Sequence, residues 1–174
     1  MVKVVPMRGV ELVKLGPDLE DALVNDSEYR EALRQGNWAR AAERVHEVVG
    51  PRVPSAAETI EAPTWDWYFV GDGATRDLVG SCAFKAPPTD QGEVEIAYFT
   101  YPPFEGRGYA TAMASKLIEL AGASEAIGRV IAHTLPTPSA STRVLEKVGM
   151  TFVGEVMDPE DGPVWRWQIA NGNR

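Results

Sequence analysis

Residues 93–120 constrain the fold of this chain more than any other segment, because a strand pattern there passes directly into a helix pattern. Polar and apolar side chains alternate over residues 93–100, which predicts a β-strand. After a Pro-Pro turn and the glycine-containing residues 106–110, apolar side chains recur at helical spacing. A further strand is predicted at residues 129–135. The segment is therefore predicted to be a strand-helix-strand unit with two parallel strands in the middle of a sheet.

The rest of the chain shows helical periodicity before this unit and strand patterns on both sides of it. Residues 51–63 are polar and contain three prolines, which predicts a loop over a cleft. At 174 residues, the chain is predicted to form a single α+β domain. The other predicted elements are a strand at residues 10–15, helical segments at 17–23 and 29–33, a helix capped by Asn37 and stopped by Gly50-Pro51, a hairpin of residues 67–70 and 78–84, a helix at 139–148, and a final hairpin of 151–157 and 164–169.

Composition excludes several classes of function. A formal charge of −8 opposes binding to nucleic-acid phosphates and slightly favours a cationic acceptor. No apolar run approaches the roughly 18 residues of a membrane span, and residues 1–16 lack the features of a secretory signal. One cysteine and two histidines provide neither an internal disulfide nor a plausible zinc site. A cytoplasmic protein without a metal, a membrane or a nucleic-acid partner is expected.

The start of the predicted helix near Gly108 has the chemistry of an anion site. Small residues there would expose the first-turn N–H groups at the positive end of the helix dipole, where a pyrophosphate can bind. Two glycines before a helix also make an ordinary tight turn, and that interpretation stays open. The glycine pattern of a dinucleotide fold and the Gly-Lys-Ser/Thr of a phosphate loop are both missing.

Two motifs in the second half of the sequence resemble those of the GNAT acetyltransferase family. Residues 105–110, Glu-Gly-Arg-Gly-Tyr-Ala, are similar to its pyrophosphate motif, in which Gln or Arg precedes two residues, Gly, one residue, and Gly or Ala. Residues 139–150 resemble its second signature, a capped helix ending in Lys-x-Gly-Phe. The run Arg-Val-Leu-Glu-Lys-x-Gly is most similar to the ribosomal-protein N-terminal acetyltransferases. The resemblance covers residues 78–169.

This resemblance implies a central mixed sheet of about seven strands with helices on both faces. Residues 64–170 would carry the sheet and the acetyl-CoA site, and residues 1–63 the acceptor side. The pantetheine arm would lie where residues 97–101 separate from residues 131–135. The implied cofactor-binding residues are Phe99, Thr100, Tyr101, Gly106, Arg107, Gly108, Tyr109, Ala110, Thr111 and Ser139.

The sequence departs from the family pattern at two informative positions. Glu105 replaces the usual Gln or Arg and puts a negative charge beside the expected phosphates. Leu145 stands where many relatives carry a tyrosine that acts as general acid. A tyrosine-acid mechanism is therefore not predicted.

Glu95 is the candidate general base, because it shortly precedes the expected strand separation, and Glu93 is the reserve. A solvated glutamate on the polar face of a strand is an equally good interpretation of Glu95. Cys82 is predicted to be a core residue, His46 a solvated helix residue, and His133 a packed strand residue.

The function implied is acetyl transfer from acetyl-CoA to a primary amine, either a protein N-terminus or a small amine, in a ternary complex. A non-catalytic acyl-CoA-binding module is the alternative, and a plain interaction protein is a third hypothesis. The exposed edge of the final hairpin, residues 151–169, also suggests a homodimer.

Overall fold

The computed structural model describes residues 9–172 and contains eight strands and five α-helices within that range. Residues 1–8, half of the segment considered as a secretory signal, lie outside the described residues. The strands are β1 Val10–Lys14, β2 Glu58–Thr59, β3 Trp67–Asp72, β4 Leu78–Phe84, β5 Glu93–Thr100, β6 Arg129–Thr134, β7 Thr151–Asp158 and β8 Gly162–Ala170. The helices are α1 Pro17–Asn25, α2 Ser27–Arg34, α3 Trp38–Val48, α4 Tyr109–Gly122 and α5 Ala140–Lys147.

The strands form one mixed sheet in the order β2-β1-β3-β4-β5-β6-β8-β7, which confirms the α+β class. The eighth strand, β2, lies in the segment predicted to be a loop, where Val13 pairs with Thr59. Strands β5 and β6 are neighbours and run parallel, as the strand-helix-strand pattern predicts. None of the helices within residues 9–172 has the length and apolarity needed to cross a membrane.

The chain forms two compact units, and it passes from one unit to the other several times. The first unit comprises Met1–Ile60, Tyr68–Cys82 and Phe99–Tyr109, and the second comprises Glu61–Trp67, Ala83–Tyr98 and Ala110–Arg174. The prediction of a single domain stays a prediction.

In the first unit, helices α1 to α3 are started by local signals that the sequence contains. Pro17 opens α1, and the side chains of Asp26 and Asn37 cap α2 and α3 by accepting from backbone N–H groups. The Asp26 carboxylate also pairs with Arg44 of α3, so that one residue both caps a helix and joins two helices. The buried core of this unit contains Val13, Leu15, Leu23, Ala42, Val45, Val53, Leu78 and Tyr101.

In the second unit, β6 is central, because it pairs with β5 on one side and with β8 on the other. The β8 register runs from Arg129 opposite Ala170 to Thr134 opposite Trp165. Strand β7 lies beside β8 at the edge of the sheet. It exposes Phe152, Val153, Val156 and Met157. The homodimer predicted through this hairpin stays a prediction.

Helix α5 follows the capped pattern predicted for residues 139–148. Ser139 and Thr142 form a capping box, in which each side chain accepts a hydrogen bond from the backbone N–H of the other residue. On the inner side of the helix, Leu145 is completely buried, and Gly149 after the helix has a φ of +85°. The position where many relatives carry a tyrosine is therefore a core position here.

We predict that Leu145→Ala lowers the free energy of unfolding by about 2–5 kcal/mol, because it leaves a cavity in a packed core. Leu135→Ala is the matched control, since Leu135 is 67% exposed whereas Leu145 is 0% exposed. The control should change stability by less than about 0.5 kcal/mol. Urea denaturation of both variants measures the difference, and equal losses would show that α5 does not pack as described.

Candidate active site

The turn between β5 and α4 is built by two glycines in the left-handed region. After a 3-10 helix at Pro102–Phe104, Gly106 has a φ of +71° and Gly108 a φ of +87°. Residues other than glycine adopt these angles at a cost of roughly 1–2 kcal/mol, so the turn itself explains both glycines. Their positive φ is thus compatible with either interpretation of the motif.

The space around these two glycines is open. A Cβ atom added to Gly106 or Gly108 would meet nothing within 4 Å. At Gly92, by contrast, an added Cβ would lie 2.9 Å from the Ala126 carbonyl oxygen. Both turn glycines and Arg107 are exposed. The turn therefore has an open surface at the N-terminus of a helix of 14 residues, where the dipole favours an anion.

Tyr109, the first residue of α4, is held by a hydrogen bond in the core. Its side chain is buried, with 2% of the residue exposed, and its hydroxyl donates to Asp72 Oδ2 at 2.7 Å. Asp72 is also buried and accepts from the backbone N–H groups of Ala74 and Thr75 through its other oxygen. The Tyr109 side chain is therefore a structural anchor, so that only its backbone is suited to binding an anion. No sequence motif marked Asp72 as its partner.

His46 supports the same turn from α3, and the prediction that it is solvated is wrong. Its Nε2–H donates to the Leu78 carbonyl oxygen at 2.9 Å, because a carbonyl can only accept. Its ring packs edge-on against Tyr101 and Phe104, with centroid distances of 5.2 Å and 6.3 Å. The guanidinium of Arg107 lies over the Phe104 ring, with its Cζ 5.6 Å from the ring centroid.

Phe99 and Thr100, which end β5, and Tyr101, which follows it, have different surroundings. Phe99 packs between Trp38 and Tyr101, with both centroid distances at 6.2 Å. Tyr101 is buried, which raises the pKa of its hydroxyl, and its N–H donates to the Val79 carbonyl. Thr100 has a buried Oγ1 without a hydrogen-bond partner among residues 9–172. Such an orphaned polar atom marks Thr100 as a residue still able to bind a polar group.

Strands β5 and β6 separate early in the second unit. Their parallel register pairs Glu93 with Arg129 and ends at Glu95 opposite Ile131. Beyond that point, β6 continues to pair with β8 as far as Thr134, whereas β5 extends to Thr100. This is the separation that the family resemblance implies, although it begins nearer to the start of β5 than the expected residues 97–101.

The direction of the β5 backbone groups follows from two hydrogen bonds. The Glu95 carbonyl accepts from the Lys85 N–H, and the Tyr101 N–H donates to the Val79 carbonyl. Both are odd-numbered residues that bond towards β4, and backbone groups alternate in direction along a strand. The backbone of Ile96 and Tyr98 therefore faces the side on which β6 has separated. Phe99 and Tyr101 point their backbone groups the other way.

Glu95, the candidate base, is half-buried and has two partners in the second unit. Its Oε1 atom is 3.0 Å from Lys85 Nζ and 3.0 Å from His133 Nδ1. His133 lies on β6, two residues after Ile131, and its side chain is 17% exposed. Glu95 is therefore neither a simple solvated glutamate nor an isolated base.

Glu93, the reserve base, is held between two arginines. Its Oε2 atom is 2.7 Å from Arg166 Nη2 and 3.4 Å from Arg129 Nη1. The hydrogen bond from Arg166, and then the one from Arg129, lower the pKa of the Glu93 carboxyl. A carboxylate stabilised in this way is a poor proton acceptor, which disfavours Glu93 as the general base.

The remaining predicted residues are placed as follows. Ala110 and Thr111 are half-buried in the first turn of α4. Ser139 uses its hydroxyl oxygen to cap α5, accepting from the Thr142 N–H at 3.3 Å. Cys82 is completely buried as predicted, and burial raises the pKa of its thiol. Within residues 9–172 no three His, Cys, Asp or Glu side chains cluster as a metal site requires.

Comparison with known proteins agrees with this geometry. Residues 10–151 match the family profile described as acetyltransferase (GNAT) domain. The chain therefore belongs to the GNAT acetyltransferase family, a family of acetyl-CoA-dependent acyltransferases, as its two motifs predict. An uncharacterized N-acetyltransferase, YjdG, of Bacillus subtilis strain 168 is 32% identical over 73 residues, which span 42% of this chain and 44% of that relative.

Two solved structures share the fold over nearly the whole chain. RimL, a ribosomal L7/L12 alpha-N-protein acetyltransferase in complex with coenzyme A, has a TM-score of 0.64 and 14% identity over 98% of this chain and 99% of its own. The spermidine/spermine N-acetyltransferase SpeG from Vibrio cholerae, in complex with manganese ions, has a TM-score of 0.57 and 14% identity over 93% of this chain and 92% of its own. These likenesses show a common fold.

The Tyr109 anchor predicts a specific loss of stability. Tyr109→Phe removes one hydrogen bond from the buried Asp72 carboxylate, which should cost about 1–3 kcal/mol of unfolding free energy. Tyr98→Phe is the matched control, because its hydroxyl bonds to Ser141 Oγ in a less buried position. Thermal denaturation of the two variants compares them. A smaller loss for Tyr109→Phe than for Tyr98→Phe would contradict the anchor.

Proposed function

We propose that this protein transfers the acetyl group of acetyl-CoA to a primary amine by direct attack in a ternary complex. The observation that carries the proposal is the open left-handed turn at Gly106 and Gly108, which leads into α4 in a chain of the GNAT family. The early separation of β5 from β6 supports it, since it leaves one edge of β5 available to a bound ligand.

In this proposal the pyrophosphate binds at the turn and at the first residues of α4. The backbone N–H groups of Gly106, Arg107, Gly108, Ala110 and Thr111 would contact it, because first-turn N–H groups lack partners within a helix. Glu105 is exposed, so its charge is screened by solvent. Ser139 keeps a hydroxyl proton to donate, since its oxygen acts as an acceptor in the cap.

The pantetheine arm is proposed to lie along the open edge of β5. The alternation of backbone groups favours Ile96, Tyr98 and Thr100 as its hydrogen-bond partners. The orphaned Thr100 hydroxyl supports this choice. Tyr101, which the family resemblance nominated, already donates its N–H within the first unit and is buried, so it contributes to the shape of the turn.

A charge placed on the turn tests the anion site. We predict that Gly106→Asp weakens acetyl-CoA binding at least tenfold by isothermal titration calorimetry, since Asp tolerates the left-handed angle but repels phosphate. Gly106→Asn separates the effect of charge from that of size and should retain most of the affinity.

Gly162→Asp is the matched control for this test. Gly162 has a φ of +75° and nothing within 4 Å of an added Cβ, as at Gly106, but it is the first residue of β8, after the turn from β7. The Gly162→Asp variant should bind acetyl-CoA with the affinity of the wild type. Equal losses in Gly106→Asp and Gly162→Asp would remove the turn from the site.

The acceptor is proposed to be a primary amine, either a protein N-terminus or a small polyamine-like molecule. RimL and SpeG, which share the fold, are named for these two kinds of acceptor. The formal charge of −8 also favours a cationic acceptor. A primary amine must lose a proton to react, and Glu95 with the groups bonded to it is proposed to receive that proton.

Thiol release in the presence of acetyl-CoA and an amine panel decides between the enzyme and the alternative. The panel contains spermidine, an aminoglycoside, and peptides with free or blocked N-termini. We expect release above hydrolysis for at least one free amine and none for the blocked peptide. Binding of acetyl-CoA without release for any amine would instead favour the non-catalytic module, an alternative to which the loss of the family tyrosine at Leu145 gives weight.

A further inference from the structure

The pair formed by Glu95 and His133 assigns the proton acceptor to a particular atom. We infer that His133 Nε2 takes the proton from the acceptor amine and that Glu95 acts behind it as a positioning residue. This inference rests on the proposed acetyl transfer. It changes the role of Glu95, which the sequence nominated as the base itself.

The hydrogen bond between these residues fixes the tautomer of the imidazole. Glu95 Oε1 lies 3.0 Å from both His133 Nδ1 and Lys85 Nζ. A carboxylate paired with a lysine only accepts hydrogen bonds, so the hydrogen of the shared bond belongs to His133 Nδ1. Neutral imidazole then carries its lone pair on Nε2, and no residue within 9–172 donates a hydrogen bond to that atom. His133 therefore presents a proton acceptor oriented by a carboxylate.

The position of His133 in the sheet places this proton acceptor beside the point where β5 and β6 separate. The last paired positions of the parallel strands are Glu95 and Ile131, and His133 follows on the same face of β6. Strand β6 is held there by β8, with His133 opposite Arg166. A residue on a strand paired on its other side is rigidly held, as a catalytic base needs to be.

The charges around the imidazole come from four neighbouring segments. Glu95 belongs to β5, Lys85 follows β4, Arg166 lies on β8, and Asp158 ends β7. Backbone hydrogen bonds from Asp161 and Glu160 lower the pKa of the Asp158 carboxyl, and the charges of Lys85 and of a protonated His133 lower it further. Two carboxylates and two cations therefore belong to the segments around His133.

Glu95 has a weaker position as the direct acceptor. Its Oε1 atom is shared between Lys85 and His133, so taking up a proton would disrupt an ion pair. His133 Nε2 can take up a proton while Glu95 keeps its bonds to Lys85 and to His133 Nδ1. The geometry therefore favours transfer to His133, with Glu95 stabilising the imidazolium that forms.

The acceptor ammonium gives one proton to Nε2, and its nitrogen lone pair attacks the thioester carbonyl carbon. The carbon–nitrogen bond forms, the carbon–sulfur bond breaks, and the electron pair of that bond leaves on the coenzyme A thiolate. The second amine proton passes to the thiolate, and His133 returns the first proton to solvent. Net, acetyl-CoA and the ammonium give the acetamide, coenzyme A thiol and one released proton.

His133→Gln tests the assignment, with His46→Gln as the matched control because the sequence contains only these two histidines. For the best amine of the panel, we expect His133→Gln to lower kcat/KM by about 10²–10⁴-fold and to remove the fall in rate on the acid side of the pH profile. The KM for acetyl-CoA should stay unchanged. His46→Gln should keep the acid limb, whatever its effect on stability.

The Glu95→Gln variant separates the two carboxylate roles. Under the inference, Glu95→Gln combined with His133→Gln is no slower than His133→Gln alone, since the two residues act as a unit. A His133→Gln enzyme with wild-type rate and pH profile, alongside a slow Glu95→Gln enzyme, would return the base to Glu95. An inactive wild type would overturn the proposed function itself.

A measurement without turnover completes the test. Nitrogen-15 NMR of the imidazole distinguishes a protonated from an unprotonated Nε2, and we expect neutral His133 to be protonated at Nδ1 in the wild type. Glu95→Ala should lose this preference. Protonation at Nε2 in the neutral wild-type side chain would overturn the inference even if acetyl transfer is observed.

Discussion

The proposed site depends on the early end of the pairing between β5 and β6. Two parallel strands that stay paired satisfy each other's backbone groups and leave no room for a ligand. Here the register stops at Glu95 and Ile131, so that the following residues of β5 have backbone donors and acceptors on an unpaired side. Buried groups of this kind are costly without partners, and an amide-containing arm supplies those partners in strand geometry. In the proposed site, the separation therefore makes one side of β5 a binding surface.

The turn at the end of β5 is held by side chains remote from it in sequence. Tyr109 is fixed by Asp72, and Tyr101 and Phe104 pack on His46. These contacts surround a backbone that contains two left-handed glycines and an exposed surface. If the proposed anion binds there, a turn already held by these contacts loses little further conformational freedom, which favours affinity.

Local signals made much of this predictable from the sequence. Strand β5 has the predicted limits, and Asn37 and Ser139 cap their helices as predicted. The misses involve long-range contacts. Strand β2 has two residues and exists through pairing with β1, and His46 appears solvated on its helix until Leu78 is placed beside it. The partners Glu95 and His133 are 38 positions apart, so no local pattern could join them.

Glu93 and Glu95 show why the family motif alone could not assign a base. They occupy the same face of one strand, two residues apart, and the sequence offers no basis for separating them except distance from the turn. Their neighbours on β6 and β8 separate them. Arg129 and Arg166 hold Glu93 as an ionised carboxylate with a lowered pKa, whereas the β6 partner of Glu95 is a histidine. A carboxylate fixed by arginines is held in its ionised form, whereas one that orients an imidazole leaves the other ring nitrogen as the proposed proton acceptor. This difference in partners is the basis for proposing different roles for the two residues.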